Sequence, residues 1–263
     1  MGRRLGQHFL FDPAILERIA EALDPTPDDV VLEVGPGLGT LTRHLAARVG
    51  LVVAMERDRS LVDRLQRPRE RGDEPLPSNV RLVQGDALEL DWHELAGGAR
   101  FKVSGNIPYA ITSPLIDKAL LSPYPELVVF LVQREVADRL AAEPGGKSYG
   151  ALSVGVQAVA HVERLFTVKA GAFRPPPAVD SAVVRLTPLD TPLVAADDQA
   201  EFRRFVTALF GQRRKQLGGA LRNVTGLERD AVARRLAALD VEPTLRCETL
   251  PPAEFERLRR AFS

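Results

Sequence analysis

Short apolar runs alternate with amphipathic stretches along the first 190 or so residues. Residues 30–34, 51–56, 80–83, 101–104 and 127–133 are dense in Val, Leu and Phe, and read as strands buried on both faces. Residues 39–49 and 59–67 carry helical spacing between them. This alternation implies βαβ units and a mostly parallel α/β sheet. Runs near residues 159–168 and 182–186 suit a hairpin closing one edge. Residues 67–78, rich in proline and charge, read as an exposed loop.

Residues 187–198 hold two prolines and end in acidic capping residues, which predicts a domain boundary near residue 190. The expected domains are therefore 1–189 and 190–263. In the second, Phe202, Phe205, Val206, Leu209, Phe210, Leu217 and Leu221 fall on one face of a single long helix. Residues 230–239 and 253–262 add helical patterns, the latter after Pro251 and Pro252. No strand signal remains, so the tail reads as a small all-α C-terminal domain.

Composition narrows the class. Of 263 residues, 45% are hydrophobic and 27% charged, a globular profile. No apolar run reaches the ~18–20 residues that span a bilayer, and the first residues lack a signal-peptide pattern, so no membrane partner is expected. The single cysteine, Cys247, excludes an internal disulfide framework and points to a reducing cytoplasm. His44, His93 and His161 share no ligand spacing, and no metal is assigned. Thirty-five basic residues balance 35 acidic ones, which excludes a strongly basic coat but not a local basic patch.

The chemistry concentrates in two places. Val30-Val-Leu-Glu-Val-Gly-Pro-Gly-Leu-Gly-Thr40 runs a buried strand into a glycine turn and a helix. Its glycines leave no side chain between main chain and ligand. Glu56 ends the next strand, 21 residues after Gly35, where a carboxylate accepts bonds from ribose hydroxyls. Asp86 ends the third strand within reach of an adenine. A nicotinamide dinucleotide also fits this outline. The G-x-G-x-G spacing with Pro36 inside it leaves poor access for a pyrophosphate, which favours S-adenosylmethionine.

The second place is Asn106-Ile-Pro-Tyr109, after the fourth strand run. An adenine exocyclic amine is a weak nucleophile because its lone pair is delocalised into the ring. The Asn106 side-chain oxygen and the Ile107 carbonyl can accept its two hydrogens and turn the lone pair toward a methyl donor. Pro108 fixes φ and lacks an N–H, and Tyr109 can stack on an extruded base. An ordinary Asn-x-Pro turn is the alternative.

Taken together, these motifs resemble those of the ribosomal RNA adenine N6,N6-dimethyltransferases. The likeness rests on Gly6-Gln-His-Phe-Leu10, Glu33-Val-Gly-Pro-Gly-Leu-Gly-Thr-Leu41, Gly85-Asp-Ala-Leu88 and Asn106-Ile-Pro-Tyr109. It continues through Val132-Gln-Arg-Glu-Val-Ala-Asp-Arg139, Tyr149-Gly-Ala-Leu-Ser-Val154 and Phe173-Arg-Pro-Pro-Pro-Ala-Val-Asp-Ser181. Phe210-Gly-Gln-Arg-Arg-Lys215 and Arg246-Cys-Glu248 extend it into the tail, with Cys247 where a small residue such as Ala is expected.

The resemblance implies a Rossmann-like class I methyltransferase domain over 1–189 and a helical RNA-recognition domain over 190–263. The implied reaction is S-adenosylmethionine-dependent N6,N6-dimethylation of two adjacent adenosines in the 3′-terminal hairpin of small-subunit rRNA. The implied setting is a monomer acting on a partly assembled 30S subunit. By resemblance, Gln7, His8 and Leu10 lie at the cofactor, Gly35 and Gly37 under its methionine part, Glu56 at its ribose, and Asp86 and Ala87 at its adenine. Asn106, which also borders the cofactor, grips the target amine with Ile107 and Pro108, while Tyr109 and Phe173 sandwich the base. Core packing is the alternative for Phe173. Arg213, Arg214 and Lys215 on the long helix, with Arg222 nearby and Arg134 and Arg139 after the fifth strand run, are candidate RNA contacts. A nicotinamide oxidoreductase leaves residues 106–109 unexplained. A large-subunit or DNA adenine methyltransferase, or a binding factor without catalysis, stays open. A C5-cytosine methyltransferase needs a cysteine beside the base, and Cys247 lies in the helical tail.

Overall fold

The computed structural model describes residues 8–67 and 75–263. Its elements run β1 (Phe9–Leu10), α1 (Pro13–Glu21), β2 (Val30–Val34), α2 (Thr40–Ala46), β3 (Leu51–Glu56) and α3 (Arg59–Gln66). Next come β4 (Val80–Gln84), α4 (Trp92–Leu95), β5 (Lys102–Asn106), α5 (Thr112–Ala119), β6 (Leu127–Gln133) and α6 (Arg134–Leu140). Then follow α7 (Ala151–Gln157), β7 (Ala160–Val168), β8 (Phe173–Arg174) and β9 (Ser181–Pro188). The chain ends in α8 (Gln199–Phe210), α9 (Leu217–Thr225), α10 (Arg229–Ala238) and α11 (Pro252–Phe262).

Seven strands form one sheet in the order β4-β3-β2-β5-β6-β9-β7. The pairs β2–β3, β3–β4, β2–β5 and β5–β6 are parallel, whereas β6–β9 is antiparallel. The two late runs expected to close an edge do so, with β9 between β6 and β7. Connections leave β2 first toward β3 and β4, then return past it to β5 and β6. The order of strands therefore reverses beside β2, and a crevice opens at the carboxyl ends of β2 and β5.

Contacts divide the chain into two compact units, one of Met1–Ala137 with Glu163–Pro188, the other of Asp138–Val162 with Leu189–Ser263. A single cut near residue 190 thus misses that residues 138–162 pack with the helical unit. Inside that unit the Tyr149 hydroxyl donates to the Leu250 carbonyl at 2.8 Å, and the Tyr149 ring meets Phe210 edge-on. Nothing local to residues 138–162 announces such distant partners.

Two further expectations change. The long helix is two helices, broken after Phe210, because Gly211 ends α8 and the next helix starts only at Leu217. Arg213, Arg214 and Lys215 therefore lie in the α8–α9 connection and not on a helix; Arg222 lies on α9. The strand expected over 101–104 runs on to Asn106, because Gly105 and Asn106 pair with Phe130 and Leu131 of β6. The loop expected over 67–78 falls largely outside the described residues.

Candidate active site

Four strand ends carry the site. β2 delivers its backbone into the turn Gly35-Pro-Gly-Leu-Gly39, where Gly35 and Gly37 take φ of +69° and +60°. A Cβ on Gly37 would stand 2.9 Å from the Phe9 ring and, at that φ, be strained as well, so glycine favours β1 closing over the turn. β1 is itself tied down: Leu10 pairs with Phe173 of β8, and its carbonyl accepts from the Thr40 hydroxyl at 3.0 Å. The result is a cavity of about 290 Å³ lined by His8, Leu10, Glu33, Gly35, Gly37, Glu56, Asp86, Ala87, Asn106, Ile107, Pro108 and Tyr109, among others.

Glu56 points both carboxylate oxygens at main chain. Oε2 accepts from the Gly37 N–H at 3.2 Å and Oε1 from the Asp58 N–H at 2.8 Å. Burial raises its pKa, and those two N–H donors oppose the rise. Asp86 Oδ1 accepts from the Leu88 N–H at 3.0 Å, while Oδ2 faces the Arg57 guanidinium at 3.2 Å. Ala87 is fixed by its carbonyl, which accepts from the Trp92 indole at 2.9 Å.

Asn106, at the end of β5, donates from Nδ2 to the His8 carbonyl at 2.8 Å. A carbonyl only accepts, so the amide nitrogen faces His8 and Oδ1 faces the other way. The Ile107 N–H donates to Leu131 at 3.0 Å, which fixes the next peptide. Gly105 makes this arrangement possible, because a Cβ there would stand 2.5 Å from the Val34 carbonyl oxygen. The Tyr109 hydroxyl shares a hydrogen with Ser181 Oγ at 2.9 Å, and burial raises its pKa. The His8 imidazole stacks on the Tyr109 ring, with centroids 5.8 Å apart.

Glu33 is a site residue that the sequence reading did not single out by function. It is 1% exposed, lines the cavity, and keeps Oε2 without a hydrogen-bond partner. Burial, seconded by the nearby Glu56 charge and opposed by Thr42 and Arg43, pushes its carboxyl up to about 7. A charged group at the end of an otherwise apolar strand was the available signal.

The structure thus gathers His8, Leu10, Gly35, Gly37, Glu56, Asp86, Ala87 and Asn106–Tyr109 around one cavity. Gln7 lies outside the described residues. Phe173 does not join them: it is 2% exposed and packs into the core with Leu10, Leu16 and Ile19. With that side chain in the core, the Tyr109–Phe173 sandwich is not assembled in this structure. Among the candidate RNA contacts, Arg134 lies in the sheet unit, half engaged by Asp180 at 4.0 Å. In the helical unit Arg139, Arg214, Lys215 and Arg222 are exposed, while Arg213 is held by Glu248 at 3.7 Å. Among the described residues no helix is long and apolar enough to cross a membrane.

A family model described as ribosomal RNA adenine dimethylase matches residues 2–257. The Ribosomal RNA small subunit methyltransferase A of Geobacter metallireducens is 44% identical, over 99% of this chain and 94% of its own. The protein of that name from Myxococcus xanthus is 42% identical, over 98% of this chain and 89% of its own. Among solved structures, a dimethyladenosine transferase from Plasmodium falciparum has a TM-score of 0.79 and 26% identity, covering 95% of this chain and 96% of its own. The 23S rRNA methyltransferase ErmE has a TM-score of 0.71 and 29% identity, covering 97% of this chain and 99% of its own. With its Asn106–Tyr109 turn at the mouth of a glycine-floored cavity and a family match over nearly its whole length, the chain belongs to the ribosomal RNA adenine dimethylase family.

Proposed function

We propose that this protein transfers methyl groups from S-adenosylmethionine to the N6 atoms of two adjacent adenosines in the 3′-terminal hairpin of small-subunit rRNA. The observation that carries the reading is the Asn106 amide, whose nitrogen is spent on the His8 carbonyl while its oxygen is turned away as an acceptor.

The residues present fit the cofactor. Glu33 offers a buried, unpartnered carboxylate oxygen suited to an ammonium group, and Gly35 and Gly37 line the cavity without side chains. Glu56, Asp86 and Ala87 line the same cavity, which supports a reading in which Glu56 accepts from ribose hydroxyls and Asp86 and Ala87 meet the adenine. When bound, S-adenosylmethionine supplies a methyl group already activated by a sulfonium charge.

The protein's part is then mostly positioning. Asn106 Oδ1 and the Ile107 carbonyl accept the two amine hydrogens of adenine, which frees the nitrogen lone pair from the ring. Tyr109 offers a ring face for the extruded base. The alkylated nitrogen is acidic and releases its proton to water, so no strong general base is needed. After one transfer the amine still carries a hydrogen for Asn106 to hold, which allows a second.

The small-subunit assignment is supported by the names of relatives above 40% identity, whereas the 23S enzyme stands at 29%. Exposed Arg214, Lys215 and Arg222 in the helical unit are the proposed phosphate contacts. A monomer working in the cytoplasm on partly assembled 30S subunits completes the reading. The test is incubation of small subunits lacking N6-methyladenosine with labelled methyl donor, followed by mass mapping. Two adjacent dimethyladenosines are expected; label at other nucleotides, or none on the small subunits, overturns the assignment.

A further inference from the structure

An asparagine amide has two faces of opposite chemistry, and only one suits an amine. If Asn106 turned over, its NH2 group would face the target nitrogen and repel the hydrogens it should accept. Among the described residues, what opposes this is the main-chain oxygen of His8, 2.8 Å from Nδ2. His8 sits at the open end of β1, one residue beyond its last ladder pair, Phe9 with Arg174. Its own anchor is a side-chain bond: the Nδ1–H donates to the Pro175 carbonyl at 2.8 Å. That bond extends the β1–β8 register by one step. On its far side the imidazole lies against Tyr109 at an interplanar angle of 30°. One residue therefore touches two of the residues assigned to the target base, Asn106 and Tyr109.

We propose that His8 is a positioning residue for methyl transfer: its imidazole, hooked to Pro175, fixes the His8 carbonyl that holds the Asn106 amide in its accepting orientation. The inference rests on the role of Asn106 proposed above and adds what determines that residue's orientation. The chemistry needs a donor at the δ position of residue 8 rather than an aromatic ring. Asparagine places a δ-nitrogen the same number of bonds from Cα and can replace the hook; phenylalanine keeps the ring and loses it; alanine loses both.

The experiment compares His8→Ala, His8→Asn, His8→Phe and Asn106→Ala, using small subunits lacking N6-methyladenosine at saturating methyl donor. Single-turnover rates should fall about tenfold in His8→Ala and His8→Phe, consistent with loss of one orienting hydrogen bond. His8→Asn should stay close to the wild-type rate. Because His8 also lines the cavity, calorimetry measures any accompanying loss of cofactor affinity, and the fall in rate at saturating donor should exceed it. In 15N-labelled ligand-free protein, the side-chain NH2 signal that Asn106→Ala deletes should be protected from exchange in wild type and His8→Asn, and should lose protection in the other two. That signal reads the amide without turnover and identifies a variant that has merely failed to fold. Equal rates in His8→Phe and His8→Asn overturn the inference, as does a loss confined to cofactor affinity. A fully active Asn106→Ala instead overturns the catalytic reading of Asn106, whatever the His8 variants do.

Discussion

In the helical unit the buried Arg259 guanidinium meets three carboxylates, with bonds of 2.8 Å to Glu256, 3.0 Å to Glu201 and 2.8 Å to Asp198. In the sheet unit the buried Glu33 carboxylate keeps an oxygen with no hydrogen-bond partner. Both are charged groups removed from water, and burial alone is costly for each. For Arg259 the acids more than compensate, and they raise its pKa far above the arginine value. For Glu33 the opposing pull of Thr42 and Arg43 does not offset burial, and the carboxyl is pushed up to about 7. The contrast teaches where each unit directs its polar chemistry: inward to hold helices together, or toward the lining of a cavity.

The largest test breaks the first half of that contrast. Arg259→Ala leaves Glu256 buried beside only Arg260, and should cost about 3–5 kcal/mol in urea unfolding, the usual penalty for half a buried pair. Cofactor affinity, a property of the sheet unit, should change far less than stability.

Asn106→Ala addresses the other half. It should lower the methyl-transfer rate about 10²–10³-fold, the scale for losing a preorganised hydrogen-bonding group, with cofactor affinity largely retained. Equilibrium unfolding should barely respond, the reverse of Arg259→Ala.

Glu33→Gln sharpens the comparison through pH. In the unfolded chain the Glu33 carboxyl ionises near 4.5, while the fold retains the proton to about 7. Unfolding therefore releases a proton in that window, and wild-type stability falls as pH rises through it. Glutamine has no charge to bury, so the variant should gain on wild type as pH rises, by at most about 3 kcal/mol above pH 7, and should match it near pH 4.5. The same variant should bind S-adenosylmethionine more weakly. Thermal melts at pH 5 and pH 8 in ligand-free protein decide it; a parallel offset at both values sinks the argument.

Gly37→Ala should cost about 1–2 kcal/mol, because alanine resists a φ of +60° and its Cβ would press on Phe9. The smallest effect is expected at Arg214. If it meets phosphate, Arg214→Ala should lower the slope of log affinity against log salt by about 0.7–0.9 and leave stability unchanged.

Much of the sheet was legible, because strands buried on both faces must be continuous apolar runs, and residues 30–34, 51–56 and 127–133 match β2, β3 and β6 residue for residue. The glycine turn was legible too, since Gly35 and Gly37 occupy a left-handed conformation that other residues avoid. Less visible was the end of β5. Gly105 and Asn106 have poor strand propensity, and only β6 alongside them extends the ladder. The break after α8 was missed because the apolar spacing stays in phase across it, and periodicity alone does not see a chain reversal. Phe173 was placed at the target base, whereas its side chain packs into the core.

What the sequence by itself determined is local and periodic: which runs must be buried, where glycine must stand, and which polar residues end each strand. Those follow from chain sterics and from the cost of exposing apolar surface, both of which act within a few residues. The tertiary structure decided the rest. It set which face of the Asn106 amide looks outward, left one Glu33 carboxylate oxygen without a hydrogen-bond partner among the described residues, and placed residues 138–162 with the helical unit. Each depends on atoms far apart in the chain, and a hydrogen bond such as Asn106 to His8 joins residues 98 positions apart that only the folded backbone brings within 2.8 Å.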